Sequence, residues 1–331
     1  MKNLKNLIIF TLIATILVGC GKSENKNIEE NEKETVSFML DWVPNTNHTG
    51  IFVAKEKGFY DELNINIDII NPPEESVTAL LASGKANFGI SFQDNIAMAL
   101  NENDNFPIVA VAAILQHNTS GILSLKEKNI NSFKDLEGKT YATWDNLIEQ
   151  ATIKQVMENE GGDFEKVNLY HSTVTDAVSA IQTNVDAAWV FEGWDAMMAK
   201  ISNLDYNFLR FSDVEPALDF YTPVLVSNET FLKENTDLAK RFLEATKKGY
   251  DYAIENPEEA AKILHKYSPE YDLNMLIESQ KFLSKEYKAD EEKWGYIDPN
   301  RWNAFFKWAY EKGLIQKNIE GKGFSNEYLP E

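Results

Sequence analysis

From Thr35 onward, short β-rich runs alternate with stretches whose apolar residues recur at helical spacing, and this alternation limits the chain to an α/β design. Residues 36–40 predict a strand, 49–57 a helix stopped by Gly58, and 65–70 the next strand. In residues 76–83, Val77, Leu80 and Leu81 share one helical face before Gly84. Residues 87–91 predict a strand, 95–102 a helix and 108–115 another strand. Strands separated by helical segments argue for a mostly parallel sheet.

A second run has the same character. Residues 139–143 predict a strand, and 146–160 a helix with Asp145 as N-cap and Gly161–Gly162 at its end. Further strands are expected at 167–170, 187–191 and 207–211, and 222–226 returns the chain. Beyond Thr236 the pattern becomes helical, over 238–254, 257–267, 273–287 and 300–312. Two α/β runs, two crossings and a helical tail predict a bilobed clamp. Its first lobe would take residues 35–121, its second 122–224, and residues 225–331 would return to the first.

The N-terminus carries a different signal. Lys2 and Lys5 precede an apolar stretch over 7–18, too short for a helix spanning a bilayer core of about 30 Å. It fits an export signal over residues 1–19. Leu17, Val18, Gly19 and Cys20 resemble the bacterial lipobox, in which the cysteine sulfur receives a lipid. Residues 20–34 are charge-dense and read as a tether, because they cannot bury enough surface to offset ordering entropy. The expected location is the outer side of the cytoplasmic membrane, lipid-anchored at Cys20.

A net charge of −20 argues against nucleic acid and anionic lipid as partners. Cys20 is the only cysteine, and the four histidines form no i, i+4 pair, so neither a disulfide nor a metal site is expected. No cofactor is expected.

In open α/β sheets, ligands bind beyond the carboxyl ends of the strands. The loops there share one chemistry. They are Asp41 to Gly50, Phe92-Gln93-Asp94, Gln116 to Gly121, Trp144-Asp145, Phe191 to Asp195 and Phe220 to Pro223. Aromatic faces suit flat rings, amides read ring-edge donors and acceptors, and a carboxylate suits an edge that donates. The only arginines are Arg210, Arg241 and Arg301, none in these loops, which disfavours an anionic ligand. Trp42, Trp144 and Glu192 are candidates for the cleft, with His48 and His117 in Asn-rich settings. Trp189, Trp294, Trp302 and Trp308 read as packing.

The segment MLDWVPNTNHTGIFVAKEKGFY, residues 39–60, resembles the opening signature of the thiamine-precursor group of periplasmic binding proteins. The likeness continues through LLASGKANFGIS (80–91), QHNTSGIL (116–123), AAWVFEGWD (187–195) and FYTPVLV (220–226). It implies a type II bilobed fold that hands a ligand to a membrane ABC permease. The implied ligand is a thiamine-related aminopyrimidine, of the formylamino or hydroxymethyl type. Riboflavin or another flat vitamin-like heterocycle is the alternative. The implied ligand-binding residues are Trp42, Asn47, His48, Phe92, Gln93, Asn118, Thr119, Ser120, Trp144, Glu192, Trp194 and Tyr221. Residues 145–147, Asp-Asn-Leu, depart from the Gly/Ser/Pro-rich turn that the resemblance implies there.

The same resemblance reaches a yeast-type pyrimidine synthase, which uses a lysine-bound cofactor, its own histidine and a cysteine-rich segment. Ser91 and Asn95 stand at the places of that lysine and histidine, and no cysteine cluster exists. The sequence therefore reads as a monomeric, non-catalytic receptor. Cys20→Ala should shift the protein from the detergent phase to the aqueous phase in detergent partitioning. Equal recovery of both forms in detergent would remove the anchor.

Overall fold

The computed structural model describes residues 32–331 apart from Pro73 and Thr173, so the signal segment, Cys20 and most of the tether lie outside the described residues. Ten strands form two five-stranded sheets. The first sheet holds β1 (Glu34–Met39), β2 (Ile65–Ile70), β3 (Phe88–Ser91) and β4 (Ile108–Ala113). The second holds β5 (Ser120–Leu125), β6 (Thr140–Thr143), β7 (Asn168–His171), β8 (Ala187–Phe191) and β9 (Tyr206–Arg210). The tenth strand, β10 (Val224–Asn228), returns to the first sheet.

The sheet orders are β2-β1-β3-β10-β4 and β7-β6-β8-β5-β9. Both follow one plan. The strand that has just crossed between lobes is inserted second from the edge and runs antiparallel to both neighbours. Each sheet is therefore mixed, with one reversed strand, because a crossing chain enters the sheet from the end where the others leave. β3 and β10 are buried along their whole length, as expected for strands covered on both faces.

Among the described residues, twelve α-helices cover the sheets. Up to the second crossing they are α1 (Thr49–Glu56), α2 (Phe59–Glu62), α3 (Val77–Ala82), α4 (Gln93–Glu102), α5 (Leu147–Asn159), α6 (Ala177–Thr183) and α7 (Met197–Ile201). The tail adds α8 (Glu229–Glu234), α9 (Thr236–Glu255), α10 (Pro257–His265), α11 (Leu273–Glu286) and α12 (Pro299–Glu311). The N-cap of α5 is Asn146, not Asp145. Its side chain accepts from the amides of Ile148 and Glu149, while Asp145 adopts a left-handed φ of 57°.

The first lobe is built on α9. Leu238, Phe242, Thr246, Gly249 and Ala253 form its buried stripe at helical spacing. Phe242 stacks on Phe88 at 4.2 Å and on Tyr60 at 5.6 Å, which locks α9 and α2 to the sheet. Residues 323–325 run beside the outer edge of β4, with Ala110 N–H donating to the Gly323 carbonyl and Ser325 N–H to that of Ala110. That pairing covers a sheet edge that would otherwise present free backbone groups.

Helices α1 and α9 cross at a pair of glycines. A Cβ on Gly249 would stand 2.0 Å from the Gly50 carbonyl oxygen and 2.9 Å from the Ala54 Cβ. Helix propensity alone makes Gly→Ala favourable by about 1 kcal/mol. Here the backbone contact decides, and overpacking of this kind costs about 1–3 kcal/mol. Gly249→Ala should thus lower the urea midpoint. A raised midpoint would mean that the two helices slide apart freely.

Candidate functional site

Two adjoining compartments lie at the carboxyl ends of the strands, between the two sheets. The first, with about 550 Å³ of open space, is lined by Asp41, Trp42, Asn45, Thr46, Asn47, Thr119, Gly193, Trp194, Asp195, Pro223 and Leu283, among others. The second, about 430 Å³, is lined by Asp94, Ser120, Trp144, Trp189, Phe220 and Thr222. Phe92 and Phe191 line both. No lysine, arginine or histidine lines either compartment among the described residues.

The loop after β1 supplies the floor of the first compartment. Asn45 caps the short helical turn Thr46–His48 and accepts from Asn47 N–H at 2.9 Å. His48 is fully buried. Its Nδ1 accepts from Asn45 N–H at 3.3 Å, so Nε2 carries the proton and donates to Asp41 Oδ1 at 2.7 Å. Two buried tyrosines hold this loop from beneath, Tyr250 donating to the Asn47 carbonyl at 2.7 Å and Tyr287 to that of Thr46 at 2.5 Å. Trp42 is left 43% exposed at the mouth.

The facing wall comes from the end of β8. Glu192–Ala196 forms one π-helical turn, a local widening common at functional sites. It inserts Trp194 edge-on between Trp42 (6.1 Å between ring centres) and Tyr271 (4.9 Å). Ser279 of α11 hydrogen-bonds the Thr46 hydroxyl at 2.6 Å and the Gly193 carbonyl, so one hydroxyl touches both walls. In the second compartment, Trp144 is held by Glu149, which accepts from Trp144 N–H, Thr143 Oγ1 and the Tyr141 hydroxyl. Trp144 stands 5.3 Å from Trp189 and is 41% exposed.

The twelve residues singled out in the sequence divide into three groups. Trp42, Asn47, Phe92, Thr119 and Trp194 line the first compartment, and Phe92, Ser120 and Trp144 the second. His48, Gln93, Asn118 and Tyr221 lie fully buried behind the walls. Gln93 donates to the Trp302 carbonyl and accepts from Tyr221 N–H; Asn118 donates to the Leu218 carbonyl and accepts from Ser120; Tyr221 accepts from Asp298 N–H. All four frame the cleft: His48 braces the loop after β1 from within, while Gln93, Asn118 and Tyr221 fasten the two chain crossings to each other and to α12. His117 lies in the same frame, paired with Asp219 at 2.7 Å and Asp290 at 3.0 Å.

Glu192 forms the third group. Its carboxylate pairs with Arg210 at the end of β9, beside the cleft rather than in the lining of either compartment. The acids that do line the compartments, besides Asp41, are Asp195 and Asp94. Burial pushes both up to about 6, against which backbone N–H groups act weakly. Neither has a cationic partner among the described residues. Thr119 Oγ1, buried against the first compartment, also lacks a hydrogen-bond partner among the described residues.

A cleft of aromatic faces, amides and uncompensated carboxyls can hold a flat ring with amino or protonated nitrogens. The chain matches the family described as NMT1/THI5 like over residues 45–260. It belongs to that family. It is 27% identical to a formylaminopyrimidine-binding protein of Halalkalibacterium halodurans, across 96% of this chain and 97% of that one. It is 26% identical to a Saccharomyces cerevisiae 4-amino-5-hydroxymethyl-2-methylpyrimidine phosphate synthase, across 89% and 88% of the two chains. The fold is that of the periplasmic aliphatic sulphonate binding protein of Escherichia coli, with a TM-score of 0.67, 15% identity, and 87% and 90% of the two chains covered. The NMT1/THI5-like chain described here is thus a type II bilobed binding-protein fold.

The raised carboxyls bear on stability. A carboxyl whose folded pKa exceeds its unfolded one opposes folding when ionised. Stability should therefore rise as pH falls from about 7 towards 4. Each of Asp94 and Asp195, partly open to solvent, contributes about 1–2 kcal/mol to that rise. Asp195→Asn should make the unliganded protein more stable at neutral pH and flatten the gain on acidification. Thermal melts across that range check this, and parallel wild-type and variant curves would refute it.

Proposed function

We propose that this chain is the ligand-binding component of an ABC importer for a thiamine-related aminopyrimidine. The observation that carries the reading is the composition of the cleft: aromatic faces and carboxyls, with no cationic side chain lining it among the described residues. The relative named for formylaminopyrimidine binding supports the same class of ligand. The pyrimidine lies in the first compartment beside Trp42. Its amino edge donates to Asp195, and Asn45, Asn47 or the Thr119 hydroxyl reads the rest of the ring edge. A protonated ring nitrogen strengthens the bond to Asp195 and draws its carboxyl towards the ionised form.

The cleft disfavours the synthase reading. A phosphorylated pyrimidine calls for cationic side chains or several convergent amides. Ser91, at the place of the synthase lysine, has its hydroxyl bonded to Thr78 at 2.7 Å. As a receptor, the protein closes its lobes on the ring and presents the closed form to the permease, tethered through Cys20.

Calorimetry with 4-amino-5-hydroxymethyl-2-methylpyrimidine, its formylaminomethyl analogue and riboflavin tests the ligand class. The pyrimidines should bind, and Trp42→Ala should weaken them by about 1–3 kcal/mol through lost stacking and burial. Binding of riboflavin alone would overturn the aminopyrimidine assignment while leaving the receptor role standing.

A further inference from the structure

The two compartments differ in what they can hold. The first sets amides, hydroxyls, Asp41 and Asp195 beside the rings of Trp42, Phe92, Phe191 and Trp194, which suits both the rim and the face of a ring. The second presents ring faces, those of Trp144, Trp189, Phe191 and Phe220, and Asp94 is its one charged lining residue. The Trp144 and Trp189 rings meet at 41°, forming two walls of an open corner. Aromatic faces attract positive charge through the ring quadrupole, and a carboxylate beside them supplies the counter-charge. A neutral flat ring alone needs no acid in such a corner.

Asp94 fits that role in three respects. It lies in the first turn of α4, where the helix favours a negative charge. Its carboxyl has no lysine, arginine or histidine partner among the described residues, only backbone N–H groups at the start of α4, and it belongs to the lining of the compartment. Burial raises its affinity for a proton, a cost that a positively charged ligand group beside it would offset.

We propose that the second compartment takes the positively charged group of a two-part ligand, an ammonium or a cationic ring carried on the substituent of the pyrimidine. This rests on the aminopyrimidine reading for the first compartment. Phe92 and Phe191, which line both spaces, then mark the junction between ring and charged group. The site selects for a ligand bearing positive charge at one end and against one ending in phosphate, sulfonate or carboxylate.

Two probes that differ only in this group provide the test: 4-amino-5-hydroxymethyl-2-methylpyrimidine, which is neutral, and its aminomethyl counterpart, an ammonium at neutral pH. By calorimetry, the wild type should bind the ammonium compound about tenfold or more tightly than the neutral one. In Asp94→Asn the ratio should fall to about threefold or less, and in Trp144→Ala it should narrow as well. Circular dichroism confirms that both variants fold. Equal affinities in the wild type, or a preference that survives Asp94→Asn, would overturn the proposal. If neither pyrimidine binds, the aminopyrimidine reading fails, and N-methylpyridinium tests the corner by itself. Saturable quenching of tryptophan fluorescence, weakened in both variants, would sustain a cation site, whereas purely collisional quenching would overturn it.

Discussion

Each sheet is completed by a strand that arrives from the other half of the molecule. β10 hydrogen-bonds to both β3 and β4, and β5 to both β8 and β9. Removing either strand would leave two ladders of backbone donors and acceptors without partners, at the full desolvation penalty for each buried group. The crossings are thus fixed by sheet formation before any side chain is considered. Fixing them puts residues 116–120 and 218–223 at the cleft, where Thr119, Ser120 and Thr222 become lining and Asn118 and Tyr221 become frame. The buried amides and hydroxyls behind the walls keep those short segments from drifting.

A rigid frame is what allows the cleft to hold poorly solvated carboxyls. Asp94 and Asp195 lie among aromatic rings without a compensating cation, an arrangement that opposes folding. Proteins keep such groups where binding requires them. The fold shared with an aliphatic sulphonate binding protein does not by itself set the charge of a ligand; the lining residues do. In this chain Arg210 is paired with Glu192 beside the cleft and does not belong to its lining.

Much of the fold was legible in the sequence because its longest elements carry the strongest periodicity. The apolar stripe of α9 and the capped, proline-started α12 declare themselves. The reversal of β5 and β10 did not, since strand direction leaves no trace in local composition. Asp145 and Asn146 are both good caps, and only the reciprocal bond between Asn146 and Glu149 distinguishes them. The loops singled out for their chemistry border the two compartments, and in the FEGWD run the residue that lines one is Asp195 rather than Glu192. The π-helical turn gives Asp195 to the lining and leaves Glu192 to Arg210, and one extra residue in a turn is invisible to pattern reading. His48 has a related ambiguity: an Asn-rich loop with a histidine can be a site or a capping box, and here the ring closes a capping box behind the lining.

The two sheets also differ in how their strands are spread along the chain. The second draws all five from one continuous stretch, β5 to β9. The first must wait for β10, and its outer edge for residues 323–325. During synthesis the ribosome therefore delivers a complete second sheet while the earlier-made first one still lacks an inner strand. In chain order, then, the sheet begun first is the one completed last, and its outer edge waits for the final residues of the chain.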